Sequence, residues 1–245
     1  MVIVRSLVFS FGWAILTVVF GVASLFTVML PFTYRYRIIS QWSRMTLRWL
    51  KISCGLDYQV EGREHIPQGN AIIFCKHQST WETLVLQEIF PIQVWVLKRE
   101  LLWIPFFGWG LALLRPIAIN RKEGRKAMMQ LLEQGIERLR QGLWVVIFPE
   151  GTRVAPGQRG QYHKGGAMLA QRSGVPVVPV AHNAGEFWPR HSIRKYPGTI
   201  RVVIGPPIAT EGRTAAEINR LAEEWIEGTM RTISAGTTEP IPEEG

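Results

Sequence analysis

The sequence predicts an α/β fold: a mixed, largely parallel sheet flanked by helices, behind an N-terminal two-helix membrane anchor. Two observations predict it. Beyond Gly55, short apolar and β-branched runs alternate with longer stretches of helical periodicity, the pattern of a sheet covered by helices. Before Gly55, the chain has a nearly uncharged apolar stretch and then a basic amphipathic one. The expected division is 1–53 as anchor, 54–236 as the domain that carries the chemistry, and 237–245 as a flexible tail.

From Val2 to Leu30 the only charge is Arg5, and the apolar run Leu7–Leu30 exceeds the roughly 20 residues needed to cross a hydrocarbon core. A cleaved signal peptide is the competing reading, but its apolar region runs only about 7 to 15 residues, and no small-x-small site follows here. Hydropathy does not distinguish a helix that crosses the bilayer from one that dips back into a leaflet. After Pro31, the stretch Tyr34–Ile52 separates Ile38, Ile39, Trp42, Met45, Trp49 and Leu50 from Arg37, Ser40, Gln41, Arg44, Arg48 and Lys51 at helical spacing. A basic, Trp-bearing amphipathic helix reads as an interfacial anchor on anionic lipid, with its cations on the cytoplasmic side.

Composition narrows the partners. The chain has 245 residues, 28 Lys and Arg against 19 Asp and Glu, and a net charge of +9, which favours an anionic partner such as a membrane surface, nucleic acid or a phosphorylated substrate. No nucleic-acid motif accompanies the charge. The two cysteines, Cys54 and Cys75, have neither disulfide-framework nor zinc-site spacing.

The expected strands are Asp57–Glu61, Ala71–Cys75, Gln93–Lys98, Pro116–Asn120, Leu143–Phe148, Val175–Ala181 and Thr199–Ile204. The expected helices are Ser79–Phe90, Pro105–Leu114, Glu123–Gln141, His163–Ser173 and Thr214–Ile233. Three polar clusters follow strands: His77, Arg121, and Glu150-Gly151-Thr152-Arg153. In open α/β sheets ligands bind at strand carboxyl ends, so parallel strands would bring these clusters to one crevice.

His77 sits at a strand end, and Ser79-x-x-Glu82 reads as a capping box with Ser79 as N-cap. On a continuous helix, residues five apart point about 140° away from each other, so His77 and Glu82 meet only if the chain turns between them. A loop before a helix supplies that turn, and an imidazole beside a carboxylate is the pairing a general base needs. Phe148–Arg153 reads either as a turn or as an anion-binding edge formed by the Gly151 and Thr152 amides with the Arg153 guanidinium.

Together these residues resemble the glycerolipid acyltransferase family, specifically the bacterial, membrane-anchored 1-acylglycerol-3-phosphate type. His77–Glu82 resembles its His-x4-acid block, Ile117–Arg121 its second block, Phe148–Arg153 its Phe-Pro-Glu-Gly-Thr-Arg block residue for residue, and Val175–Val180 its fourth. Two departures stand out: Lys76 precedes His77 where Asn is usual, and Glu82 replaces Asp. Lipid A secondary acyltransferases also resemble the first block, but they lack the third.

The resemblance implies that His77, oriented by Glu82, takes the proton from a glycerol hydroxyl that attacks an acyl thioester. It places the acceptor phosphate on Arg121, Arg153 and the Gly151 and Thr152 amides, and acceptor hydroxyls on Glu150. Lys164, before Gly165-Gly166, reads equally as a family Lys-Gly element or as a solvated cap. No cofactor and no metal is implied; acyl-CoA or acyl carrier protein serves as co-substrate, with membrane lipids as partners, at the cytoplasmic face of a bacterial inner membrane. The rivals are a thioesterase or phospholipase and a non-enzymatic membrane-binding module.

Overall fold

A computed structural model describes residues 1–120 and 123–234. Seven strands, β1 (Leu56–Glu61), β2 (Ile72–Cys75), β3 (Gln93–Lys98), β4 (Ile117–Ile119), β5 (Trp144–Ile147), β6 (Val177–His182) and β7 (Gly198–Ile204), form one sheet in the order β1-β7-β6-β2-β5-β3-β4. Every pairing is parallel except β6 with β7. All seven expected strands are present, and the sheet is mixed and largely parallel, as the alternation predicts.

The central strands β2, β5 and β6 are buried along their whole length, which is why they read as unbroken apolar runs. Alternate residues feed two cores. Ile73, Cys75, Val146 and Val178 pack on one face with Leu50, Trp81 and Leu84; Ile72, Phe74, Val145 and Ile147 pack on the other with Leu131, Leu169, Ala222 and Ile226. The helices on the second face are α6 (Arg125–Arg140), α7 (Gly165–Ser173) and α9 (Ala215–Ser234). In α7, Gly166 lies against the Phe74 ring so closely that a Cβ would meet Phe74 Cζ at 2.7 Å, so glycine lets this helix sit directly on the sheet.

The first face carries α1 (Val2–Leu25), α3 (Gln41–Cys54) and α4 (Glu82–Ile89), with α2 (Phe32–Ile39) and α5 (Phe107–Leu113) beside them. The expectation from sequence differs from this in five places. Tyr34–Ile52 is two helices broken at Ser40, α4 starts at Glu82 instead of Ser79, and the short helix α8 (Ala184–Phe187) and the 3-10 turns Arg63–His65 and Arg99–Trp103 have no periodicity long enough to read.

By length and composition α1 can cross a membrane. One stripe of it lies along the protein from end to end: Arg5 Nε donates to Ser53 O (3.0 Å), Gly12 lies under Trp49, and Gly21 lies under Phe106. Its other side exposes Leu7, Phe11, Ile15, Val18, Val19 and Val22. Trp42 and Trp49 of α3, expected to face lipid, instead donate their indole N–H to Thr17 Oγ1 and Phe9 O of α1 (both 3.2 Å). The buried face of α3 is Ser43, Thr46, Leu47, Leu50 and Cys54, while Ile38 and Met45 of the expected apolar face are exposed. Ser43 Oγ donates to Leu84 O (2.7 Å), so α3 is built into the domain that follows it.

Leu50 is fully buried between α1 and the sheet. Leu50→Ala is therefore expected to cost about 2 to 5 kcal/mol, read by denaturant unfolding in detergent. A cost under about 1 kcal/mol would show that α3 is peripheral to the core.

Candidate active site

Strands β6, β2 and β5 are adjacent and parallel to one another, and each ends in a polar residue: His182, Lys76-His77 and, after Phe148-Pro149, Glu150. The His77 imidazole is held on three sides. Nδ1 lies 2.8 Å from Glu82 Oε1, the ring stacks on Phe148 with centroids 4.0 Å apart and planes 14° apart, and its backbone N–H donates to Glu150 Oε2 (2.8 Å). The Val154 amide bonds the His77 carbonyl (2.8 Å). With Nδ1 committed to a carboxylate, Nε2 is the ring nitrogen left to accept a proton.

Glu82 is fully buried and serves both readings of its motif at once. Its Oε1 accepts the amides of Gln78 (2.9 Å) and Ser79 (2.8 Å) as a capping carboxylate does, and the same oxygen meets His77. Burial works against the carboxylate, but the imidazoles of His182 and His77 and the Ser79 amide outweigh it and hold the Glu82 pKa below its ordinary value. Ser79 Oγ is buried and accepts the Trp81 amide at 3.3 Å, which makes it a turn-stabilising group and not a nucleophile.

Behind the imidazole lies a buried ion network. Lys76 Nζ donates to Glu150 Oε1 (2.7 Å) and to Glu227 Oε1 of α9 (2.8 Å), and Tyr162 Oη donates to the same Glu227 oxygen (2.9 Å). The side chains of Lys76 and Glu150 are 1% and 0% exposed. Burial raises the Glu150 carboxyl against the pull of Lys76. Each Glu150 oxygen is thus bound within the protein, one to Lys76 and one to the His77 amide.

The Gly151 amide donates to Phe148 O (2.9 Å) and Gly151 has φ 67°, so Phe148–Gly151 is a turn closed by that N–H. Thr152 is exposed beyond it, and Arg153 borders a cleft with Thr80. Lys164 caps α7 with its side chain exposed, tied to the turn through the His163 amide on Pro149 O (2.8 Å). Arg121 lies outside the described residues.

His182 and Glu227 were not singled out from the sequence. His182 Nδ1 accepts the Ala184 amide (3.2 Å) and its Nε2 donates to Lys76 O (2.8 Å), fixing the peptide before His77. Burial lowers its pKa. The rule that found His77, a polar residue at a strand end, would have found His182; Glu227 has no local signal at all.

Removing Lys76 leaves Glu150 and Glu227 facing each other without a cation. Lys76→Met is expected to cost about 3 to 5 kcal/mol, and Lys76→Met combined with Glu150→Gln to recover part of it, a coupling that denaturant melts measure. A Lys76→Met melt at the wild-type midpoint would refute the network. The Glu82 pKa is depressed in the folded protein, so its contribution is complete above its unfolded value of about 4.3 and disappears as pH falls through the folded value. The stability gap between wild type and Glu82→Gln should therefore narrow on acidification; a gap constant from pH 7 to pH 3 would refute this.

Residues 57–183 match a family described as Acyltransferase. Over 236 residues the chain is 48% identical to the 1-acyl-sn-glycerol-3-phosphate acyltransferase of Pseudomonas aeruginosa, covering 94% of this chain and 92% of that one. It is 31% identical over 193 residues to the Homo sapiens 1-acyl-sn-glycerol-3-phosphate acyltransferase alpha, covering 78% and 68%. The fold is similar to the crystal structure of the 1-acyl-sn-glycerophosphate (LPA) acyltransferase from Thermotoga maritima, with a TM-score of 0.81, 25% identity and coverage of 97% and 98%. By these matches the chain belongs to the acyltransferase family.

Proposed function

We propose that this chain is a 1-acyl-sn-glycerol-3-phosphate acyltransferase, moving an acyl group from a thioester of coenzyme A or acyl carrier protein to the sn-2 hydroxyl of lysophosphatidate and giving phosphatidate. The observation that carries the chemistry is the 2.8 Å contact between His77 Nδ1 and the buried Glu82 carboxylate. The named activities of the Pseudomonas, human and Thermotoga relatives support the substrate.

In this reading His77 Nε2 takes the hydroxyl proton as the oxygen attacks the thioester carbonyl. Glu82 stabilises the imidazolium that forms, with a contribution of general-base catalysis on the order of 10²- to 10⁴-fold. The carbon–sulfur bond then breaks, the ester remains, and His77 returns the proton to the departing thiolate. A thiol of pKa near 8.5 leaves readily, so no covalent acyl-enzyme is needed. Arg121 and Arg153 are assigned to the acceptor phosphate, which a guanidinium can meet with two parallel bonds. Lys164 and Thr152 belong to the same assignment as outer contacts.

The proposed location is the cytoplasmic face of a bacterial inner membrane. Arg44, Arg48 and Lys51 of α3 are exposed and run beside α1. An α1 standing upright across the bilayer would carry them into hydrocarbon, whereas an α1 lying in one leaflet keeps them at headgroup level.

His77→Ala is expected to lose on the order of a hundredfold to ten-thousandfold in turnover while melting within a few degrees of wild type. Glu82→Gln, which preserves the capping acceptor, should fall in between. The assay follows diacyl product and free fatty acid from one thioester; release of fatty acid without diacyl product would identify a thioesterase. Normal turnover in His77→Ala would sink the general-base assignment.

A further inference from the structure

Between α1 and the segment Trp188–Lys195 lies a cleft of about 440 Å³. Ser10 and Trp13 of α1 form one wall, and Trp188 and Lys195 form the other. Thr80, in the loop that joins His77 to Glu82, and Arg153, next to the Val154 amide that bonds the His77 carbonyl, border it. The cleft therefore touches both the membrane helix and the loop that holds the catalytic pair.

Lys195 is 4% exposed. Its Nζ donates to Ile193 O (2.8 Å) and lies 5.3 Å from the centroid of the Phe9 ring and 5.0 Å from that of Trp188. Among the described residues, no carboxylate pairs with Lys195 or Arg153. Aromatic faces attract an ammonium, but a buried cation without an anion still carries an unrecovered desolvation cost. Burial accordingly lowers the pKa of Lys195. A side chain that only packed here would be better served by Leu or Met.

The wall that α1 forms indicates what the anion belongs to. The cleft lies beside Ser6, Phe9, Ser10 and Trp13, with Arg5 just before them, and the same helix exposes Leu7, Val8, Phe11 and Ile15. Two cations at the edge of an exposed apolar helix face suit an anionic group that carries an acyl chain.

We propose that this cleft binds the phosphate headgroup of a lipid, with Lys195 as its inner cation, Arg153 as its outer cation, and α1 as the wall along which the acyl chain lies. The lipid is either the lysophosphatidate acceptor, in which case the site deepens the acyltransfer reading, or a resident anionic membrane lipid. Both present a phosphate to the same two cations.

The test uses full-length protein in neutral detergent micelles, alone, with lysophosphatidate, or with phosphatidylglycerol. Lys195→Met should melt higher than wild type without lipid, because it removes an unpaired buried charge, and should lose the lipid-induced rise in melting temperature. A purely structural lysine would lower the lipid-free midpoint instead. Arg153→Gln, at the partly exposed rim, should lose the lipid-induced rise without disturbing the core.

If the acceptor occupies the cleft, both variants raise the apparent KM for lysophosphatidate about ten- to a hundredfold and leave the thioester KM in place. If a resident lipid occupies it, they abolish the dependence of rate on phosphatidylglycerol content. A Lys195→Met protein with a lowered lipid-free midpoint, a wild-type lipid shift and wild-type kinetics would overturn the proposal. Wild-type protein that failed to acylate lysophosphatidate would refute the acyltransfer reading instead, with the melting shifts still deciding the site.

Discussion

The Glu82 carboxylate is the group on which the site depends. It is fully buried, and a buried carboxylate is tolerated only when its oxygens are satisfied. The amides of Gln78 and Ser79 and the ring of His77 satisfy it, and those same bonds start α4, shape the loop and aim the imidazole. Capping the loop amides and holding the imidazole are therefore not rival explanations of Ser-x-x-Glu in this chain. A shorter aspartate would have to bring the helix start closer to the strand end to reach the same three donors, so the Glu82 departure from the family's Asp is matched by the local path of the loop.

Strand parity distributes the remaining chemistry. Ile72 and Phe74 of β2 face the layer containing α9, and Ile73 and Cys75 face the layer containing α3 and α4. Extending the alternation by one step each sends Lys76 toward Glu227 of α9 and His77 toward Phe148 and Trp95 in the other layer. Two successive residues thus serve two functions on opposite sides of the sheet. Glu150 links them, holding Lys76 with one oxygen and the His77 amide with the other.

Much of this was legible because it is local. The seven strands are apolar runs bounded by turns, and His77, Glu82 and Glu150 lie within a few residues of strand ends, where position along the chain nearly specifies position in space. What was illegible depended on contacts across long separations. Glu227 reaches Lys76 over 151 residues and belongs to a helix whose periodicity reports only that one face is buried. Trp42 and Trp49 were misplaced for a related reason: an amphipathic pattern shows that a face is covered, but a neighbouring helix and a lipid interface cover it equally well. Glu150 and the Gly151 amide have partners within the protein, Lys76 and the His77 amide for one and Phe148 O for the other, which residue type and spacing alone do not specify.

The same parity decides which surface of the protein lies on the side of the His77 imidazole. His77 faces the layer that contains α1 and α3, while the ion network of Lys76, Glu150 and Glu227 faces the layer of α6, α7 and α9. The exposed apolar residues of α1, joined by Leu101, Trp103, Ile104 and Trp109 around α5, lie on the His77 side of the sheet. The exposed apolar surface and the imidazole thus share one side of the sheet. The charges that hold the imidazole's backbone stay on the far side of the sheet, where they do not meet hydrocarbon. A seven-stranded sheet buried on both faces serves here as the partition that lets the charged network of Lys76 and the imidazole of His77 stand on successive residues.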